Sequence, residues 1–187
     1  HEDPKKYKGP PYAVDYPDCL KIVEEKVKPA RAQNKDKRRR EIWWQFTRPT
    51  IELYETISDL NHVLVTAQTS RRWAPAFQPI GVVYSHATIV FPLSTWAEYA
   101  LMQSFTHEEW RLEYGTSLRQ DARYTPSDIF ETFPFPENTD PLETPVLREL
   151  EAIGEAYYTH RQTIMQTRQQ GLTKTYNRLH DPTQTHP

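Results

Sequence analysis

Apolar residues recur at helical spacing over long parts of the chain, with polar residues between them. Such a repeat is typical of amphipathic helices, which turn one apolar face toward a core. The pattern predicts a helix over 18–41 that Pro29 kinks, a short helix over 51–60, helical turns from 95 to Gly115, a short turn over 127–130, and a long helix over 145–170.

Between the helices, short runs of β-branched and aromatic residues change the period to that of strands. Residues 63–67, 80–85 and 88–91 are the predicted strands, and 116–124 is a short, irregular strand segment. Residues 68–79 are polar and basic, and Pro75 and Pro79 predict a stiff loop there. The order of elements predicts an α+β fold, with a small mixed β-sheet and packed helices, flanked by an N-terminal basic helix and a long C-terminal helix.

Changes in composition divide the chain into segments. Residues 1–17 are proline-rich and predicted to be an extended linker. We expect a basic helical arm over 18–48, a domain over 49–140 and a long C-terminal helix over 141–171. Residues 172–187 are interpreted as a polar tail that is truncated.

Length and composition limit the classes of protein to consider. The chain has 187 residues, 37% of them hydrophobic, which is enough for one core but not for two catalytic domains. Its apolar runs fall far short of the roughly 20 residues that span a bilayer, and its charged start is unlike a signal peptide. The one cysteine, Cys19, excludes an internal disulfide, and we expect it in the core. We predict a cytoplasmic protein with no membrane partner.

The distribution of charge is more informative than the net charge of -2. Residues 26–48 hold nine basic residues against two acidic ones, whereas acidic residues dominate 137–155. A basic stretch of this density favours binding to a polyanion, although a solvated helix face gives the same pattern. The candidates for contact with phosphate groups are Lys35, Lys37, Arg38, Arg39, Arg40 and Arg48.

The motifs of common catalytic sites are missing from the sequence. No glycine-rich phosphate loop is present, and the five glycines are scattered singly. The run His107-Glu108-Glu109 lacks the second histidine that a helical zinc site needs, so we expect it on a surface helix. We assign no catalytic residue and no metal ligand.

Four stretches of sequence carry a resemblance to a known family. They are WWQF at 43–46 with the residues after it up to Tyr54, LMQSFTHEEW at 101–110, SLRQDARYTPSDIFETFPFP at 117–136, and LTKTYNRLHDP at 172–182. The string YTPSDIFETFPFP is long and unusual in composition. The region from Trp43 to Pro136 resembles the target-recognition region of adenine-specific DNA methyltransferases of restriction-modification and phage-defence systems, which include fused type IIL enzymes and DISARM- and BREX-like methylases.

The resemblance implies that 49–140 is a target-recognition domain and that double-stranded DNA is its partner. Such enzymes bind S-adenosylmethionine through a glycine motif and hold adenine with an Asn/Asp-Pro-Pro-Tyr/Phe motif, and this sequence has neither. The resemblance therefore implies a methyltransferase domain elsewhere in the same parent chain, which binds S-adenosylmethionine. No cofactor is expected in this fragment. Whether the parent also carries an endonuclease stays open.

Reading base edges requires forked or amide side chains on a rigid support. Two clusters offer such side chains. One lies on the predicted loop over 68–79, and the other lies before the segment FPFP at 133–136. The candidates are Gln68, Ser70, Arg71, Arg72, Gln78, Arg119, Gln120 and Arg123.

Each cluster also has a structural interpretation. The first is then a surface loop anchored by Trp73. In the second, Arg119 and Arg123 form ion pairs with nearby carboxylates. The alternative function is a structural or protein-interaction module of a defence complex, which docks through the acidic long helix and the basic arm.

Overall fold

The computed structural model describes residues 13–45, 50–118, 121–137 and 144–183. The chain forms two compact units, His1–Leu53 and Tyr54–Pro187. Helices and antiparallel strands are both present, so the predicted α+β class is confirmed. No helix in the described ranges has the length and the apolar character needed to cross a membrane.

The first unit contains three short helices in place of the one kinked helix that the sequence predicts. They are α1 (Pro17–Lys26), α2 (Lys28–Ala32) and α3 (Lys37–Glu41). Pro29 lies in the first turn of α2, a position that proline fits, and Asp36 caps α3 by accepting from the Arg38 N–H at 2.9 Å. The sequence-based placement of Cys19 in the core is wrong: the side chain is exposed, since α1 buries no residue.

Two three-stranded antiparallel sheets organise the second unit, where the sequence predicts a single mixed sheet. The first has the order β3 (Ala76–Pro79), β1 (His62–Ala67), β4 (Thr88–Phe91), and the second has β2 (Thr69–Ser70), β6 (Asp121–Arg123), β5 (Thr116–Leu118). Leu64, fully buried, lies opposite Phe77 on one side and Phe91 on the other. The chain passes from one sheet to the other at Gln68, whose N–H donates to the Ala87 carbonyl at 2.8 Å.

The loop predicted over 68–79 contains two of these strands. β3 is an edge strand that ends at Pro79, and an edge is the place where a sheet tolerates proline. The strand predicted over 80–85 is absent from the structure, and those residues form bends and coil. Gly81 has a φ of 84°, which breaks the extended backbone within this apolar run.

Helices α4 (Ile51–Thr56), α5 (Trp96–Gln103), α6 (Phe105–Tyr114) and α7 (Pro126–Ile129) follow the predicted pattern. A capping box begins α5: the Thr95 hydroxyl accepts from the Glu98 N–H at 3.2 Å, and the Glu98 carboxylate accepts from the Thr95 N–H at 2.9 Å. Ser104 caps α6 in the same way through the His107 N–H. Gly115 ends α6 as predicted.

The long helix α8 (Pro145–Thr167) packs along α5. The Glu151 carboxylate accepts from the Ala97 N–H at the start of α5. Gly154 makes the close approach possible, because a Cβ there would lie 2.1 Å from the carbonyl oxygen of Trp96. The sequence predicts no further helix, but Leu172–Leu179 forms α9, which returns against α8.

We predict that Gly154→Ala destabilises the second unit. The added methyl group would overlap the backbone of Trp96, so α5 and α8 must separate, at a cost of about 2 kcal/mol in the free energy of unfolding. Urea denaturation measures this change. Gly171→Ala is the matched control, since a Cβ at Gly171 meets nothing within 4 Å, and the loss of a glycine N-cap at α9 should cost only about 0.5–1 kcal/mol. Equal stabilities of the two variants would contradict the packing argument.

Candidate nucleic-acid interface

A groove of about 540 Å³ lies where the two sheets meet α9. Residues of β1, β3, the loop after β2 and α9 contribute most of its lining, and the loop and α9 are referred to here as its two walls. The lining residues are Val65, Thr66, Ala67, Ser70, Arg71, Arg72, Ala74, Ala76, Gln78, Thr88, Asp121, Leu172, Thr173 and Asn177.

Trp73 anchors the loop that carries the arginines, as the structural interpretation of this segment expects. Its side chain is 3% exposed and stacks on Tyr124, with ring centroids 4.9 Å apart. The indole N–H donates to the Met102 carbonyl oxygen at the end of α5. Because Arg72 is the adjacent residue, the buried indole fixes where its backbone emerges.

Beneath the indole, His107 is fully buried, so its expected place on a helix surface is wrong. Its Nε2 lies 3.1 Å from the Tyr124 hydroxyl, and the ring contacts Trp73. Burial, with a smaller effect of the neighbouring Arg111 charge, lowers the pKa of His107 to about 4. The imidazole is therefore neutral at physiological pH and serves as part of the core.

Arg161 of α8 connects both walls of the groove. Its Nη1 donates to the Pro75 carbonyl oxygen in the loop at 2.9 Å and to the Tyr176 hydroxyl in α9 at 3.3 Å. The same nitrogen donates to Gln103 Oε1 of α5 at 3.3 Å. A single guanidinium group thus joins the loop, two packed helices and α9.

The faces of two tyrosine rings surround the Arg161 guanidinium. Its Cζ lies 4.7 Å from the ring centroid of Tyr158 and 5.4 Å from that of Tyr99. Arg161 is 5% exposed and has no carboxylate within ion-pair distance among the residues that the structure describes. The negative faces of the rings therefore provide the electrostatic compensation for the buried charge.

The structure brings together Ser70, Arg71, Arg72 and Gln78, which the sequence nominates for base contacts. Arg71 and Gln78 are exposed. Two further candidates lie elsewhere: Gln68 sits at the junction of the sheets, and Arg123 is exposed on β6 but does not line the groove. Arg119 and Gln120 lie outside the described residues.

Sequence reasoning missed the wall formed by α9. Thr173 and Asn177 line the groove from a segment interpreted as a tail. Tyr176 between them is buried. Leu172, Tyr176 and Leu179 recur at the i, i+4, i+7 spacing of an amphipathic helix, and this was the signal that could have revealed α9. Asp121 of β6, which belongs to the same stretch of sequence as the second cluster of candidates, also lines the groove.

The basic candidates of the first unit lie on and beside α3. Arg40 Nη1 donates to the carbonyl oxygens of Asn34 and Lys35 at 2.7 and 2.9 Å, which closes the turn before the helix. Two others form exposed ion pairs, Lys37 with Glu41 at 3.7 Å and Arg39 with Asp36 at 3.5 Å. Such pairs are weak, so their cations remain available to an anion. Lys35 and Arg38 are exposed, and Arg48 lies outside the described residues.

No cluster of three or more metal-ligating side chains occurs among the residues described.

The groove lining offers guanidinium and amide donors, amide, hydroxyl and carboxylate acceptors, and apolar side chains. This arrangement is suited to binding a ligand surface on which hydrogen-bond donors, acceptors and apolar groups lie side by side.

We predict that acidification destabilises the second unit through His107. The unfolded chain takes up a proton near the ordinary pKa of 6.5, whereas the folded pKa is about 4. Between these values the unfolded state binds more protons, so the free energy of unfolding falls as the pH is lowered, by up to about 3 kcal/mol. Urea denaturation across this range measures the effect, with His107→Gln as the variant that does not titrate. Parallel pH profiles for the two proteins would show that His107 is not the cause.

Comparison of the chain with protein-family models, with curated proteins and with solved structures finds no match.

Proposed function

We propose that this chain selects the DNA sequence on which an adenine-specific methyltransferase domain, located outside the chain, acts. The observation that carries the proposal is the combination of forked donors, amides, a carboxylate and apolar side chains in one groove. The chain itself performs no bond-making step in this proposal. The parent protein would belong to a restriction-modification or phage-defence system and would bind S-adenosylmethionine in its catalytic domain.

The mixed lining favours base edges over the phosphate backbone as the target. Phosphate oxygens carry negative charge and only accept hydrogen bonds, so a lining residue with a carboxylate, Asp121, disfavours them. Base edges in the major groove instead combine acceptors, amino donors and the thymine methyl group. Arg71 and Gln78 match the polar groups, and apolar residues such as Leu172 match the methyl group.

Phosphate contacts would come from the basic segment of the first unit. Lys35 and Arg38 are exposed, and α3 presents further cations. Contacts of this type hold a protein on DNA without reading its sequence and release counterions on binding. The proposal thus assigns non-specific phosphate binding to the first unit and base recognition to the second.

Adenine methylation at a defined sequence requires a base-recognition domain separate from the catalytic pocket. The target base must leave the stack to reach a catalytic pocket, and the protein must hold the duplex beside it. A pocket that accepts one adenine cannot define a longer site, so neighbouring base pairs must be read by other residues. The resemblance of Trp43–Pro136 to target-recognition regions supports this assignment.

We expect the chain to enrich a defined sequence from a pool of random duplexes, with an affinity that falls steeply as salt rises. Arg71→Ala combined with Arg72→Ala should reduce the ratio between selected and scrambled duplexes by roughly tenfold or more, while salt-dependent binding to both persists. The measurement is the equilibrium affinity for each duplex.

The matched control combines Arg168→Ala with Lys174→Ala. Both residues are exposed, and neither lines the groove, so the charge change is the same and the preference should survive. Equal loss of preference in the two double variants would contradict the assignment of reading to the loop. Absence of duplex binding at low salt would overturn the proposal.

One observation favours the alternative of a protein-interaction module. On α8, Val146 is 72% exposed and Ile153 is 54% exposed. The two residues are seven positions apart, which is about two helical turns, so they lie on the same side of the helix. Glu149 and Glu155 are exposed on the same helix. A chain that acts solely in this way would bind no DNA under any salt condition, which is the outcome that separates the two functions.

A further inference from the structure

We infer that Asn177 of α9 is a positioning residue that orients Arg72 to read a guanine base in the groove. The inference rests on the proposed function, because it names the base that the same groove would select. Asn177 contacts the Arg72 side chain directly, and it affects base specificity by orienting that side chain.

The backbone of Arg72 is held by Ser70. The Ser70 hydroxyl accepts from the Arg72 N–H at 3.2 Å and donates to the Arg72 carbonyl oxygen at 2.8 Å. On the other side, Trp73 is buried and stacked on Tyr124. Because Ser70 and Trp73 hold the backbone on either side, the Cα–Cβ bond of Arg72 is directed to the groove that the residue lines.

Asn177 then constrains the side chain. Arg72 Nε donates to Asn177 Oδ1 at 3.3 Å across the groove. No other described residue accepts a hydrogen bond from the Arg72 guanidinium. Its two terminal nitrogens therefore remain available as a planar fork, while the bond at Nε restricts rotation of the side chain.

A fork held in this way matches guanine. Guanine presents two neighbouring acceptors, O6 and N7, in the major groove, and a bidentate arginine is the commonest specific contact to it. A phosphate group also accepts from arginine, but Asp121 lines the same groove and disfavours an anion there. The geometry therefore favours a base edge as the acceptor.

The position of Asn177 is itself preset by its neighbour in α9. Tyr176 is 4% exposed, and its hydroxyl lies 3.3 Å from both Arg161 Nη1 and Gln103 Oε1. A third contact, at 3.1 Å, joins it to the Tyr157 hydroxyl of α8. Because Tyr176 is fixed in the core, Asn177 reaches the groove at a defined place before any DNA binds.

The test compares binding of wild-type and variant chains to duplexes that differ at a single guanine of the selected sequence. We expect Asn177→Ala to reduce discrimination at that base pair by roughly tenfold, and discrimination at other positions to persist. Asn177→Asp keeps the acceptor for Nε and should retain discrimination, although the added negative charge weakens binding to every duplex. Arg72→Lys should lose the guanine preference, because an ammonium group cannot form the fork.

Lys174→Ala is the control on the same helix, since Lys174 is exposed and does not line the groove. Unchanged discrimination in Asn177→Ala, with loss in Arg72→Lys, would overturn the role of Asn177 and leave the proposed function standing. A wild-type chain that shows no sequence preference would overturn the proposed function and this inference together. A uniform loss over all base pairs in Asn177→Ala, without rescue by Asn177→Asp, would mark a purely structural role and also overturn the inference.

Discussion

The buried guanidinium of Arg161 is the interaction on which the second unit depends. It donates to the loop at Pro75 and to α9 at Tyr176, and it lies against the rings of Tyr158 and Tyr99. Burying a charge is costly, and an apolar side chain of similar size often gives equal or greater stability. What a hydrophobic residue cannot provide is a set of directed hydrogen bonds to two separate chain segments. Arg161 therefore specifies one arrangement of the groove walls.

A second anchor, Trp73, acts on the same loop two residues before Pro75. Trp73 is buried against Tyr124, and His107 beneath it stays neutral because burial lowers its pKa. Between Ser70, which bonds the Arg72 backbone, and Trp73, the loop exposes Arg71 and presents Arg72 to Asn177. Side chains on a support fixed at both ends lose little freedom on binding, which favours specific recognition over loose electrostatic attachment.

Several elements follow from local sequence alone. The Thr95 and Glu98 capping box, Gly115 after α6 and the run of β-branched and apolar residues in β1 are signals within a few residues, and the structure agrees with them. The strand expected over 80–85 fails for a local reason as well, since Gly81 adopts a positive φ and no neighbouring strand pairs with the run.

The groove depends on contacts between distant residues, and sequence patterns carry no record of these. The loop candidates were identified by chemical type. In α9, Leu172, Tyr176 and Leu179 recur at helical spacing, which predicts a helix but not where it packs, and burial of Tyr176 attaches this helix to the core. Burial of Arg161 breaks the rule that charged residues face water, so no pattern could indicate it. The pairing of Arg72 with Asn177 spans 105 residues and is visible in three dimensions alone.

Native-state hydrogen exchange of Arg161→Met tests the central claim most directly. If the guanidinium holds both walls, the amides of α9 and of residues 71–75 should exchange at least about tenfold faster than in the wild type, while those of α5, which also contacts α8 at Glu151 and Gly154, should change less. Arg168→Met is the control, because Arg168 is exposed at the end of the same helix. Unchanged protection of α9 in Arg161→Met would contradict the account, since the groove would then keep its shape without the interaction assigned to it.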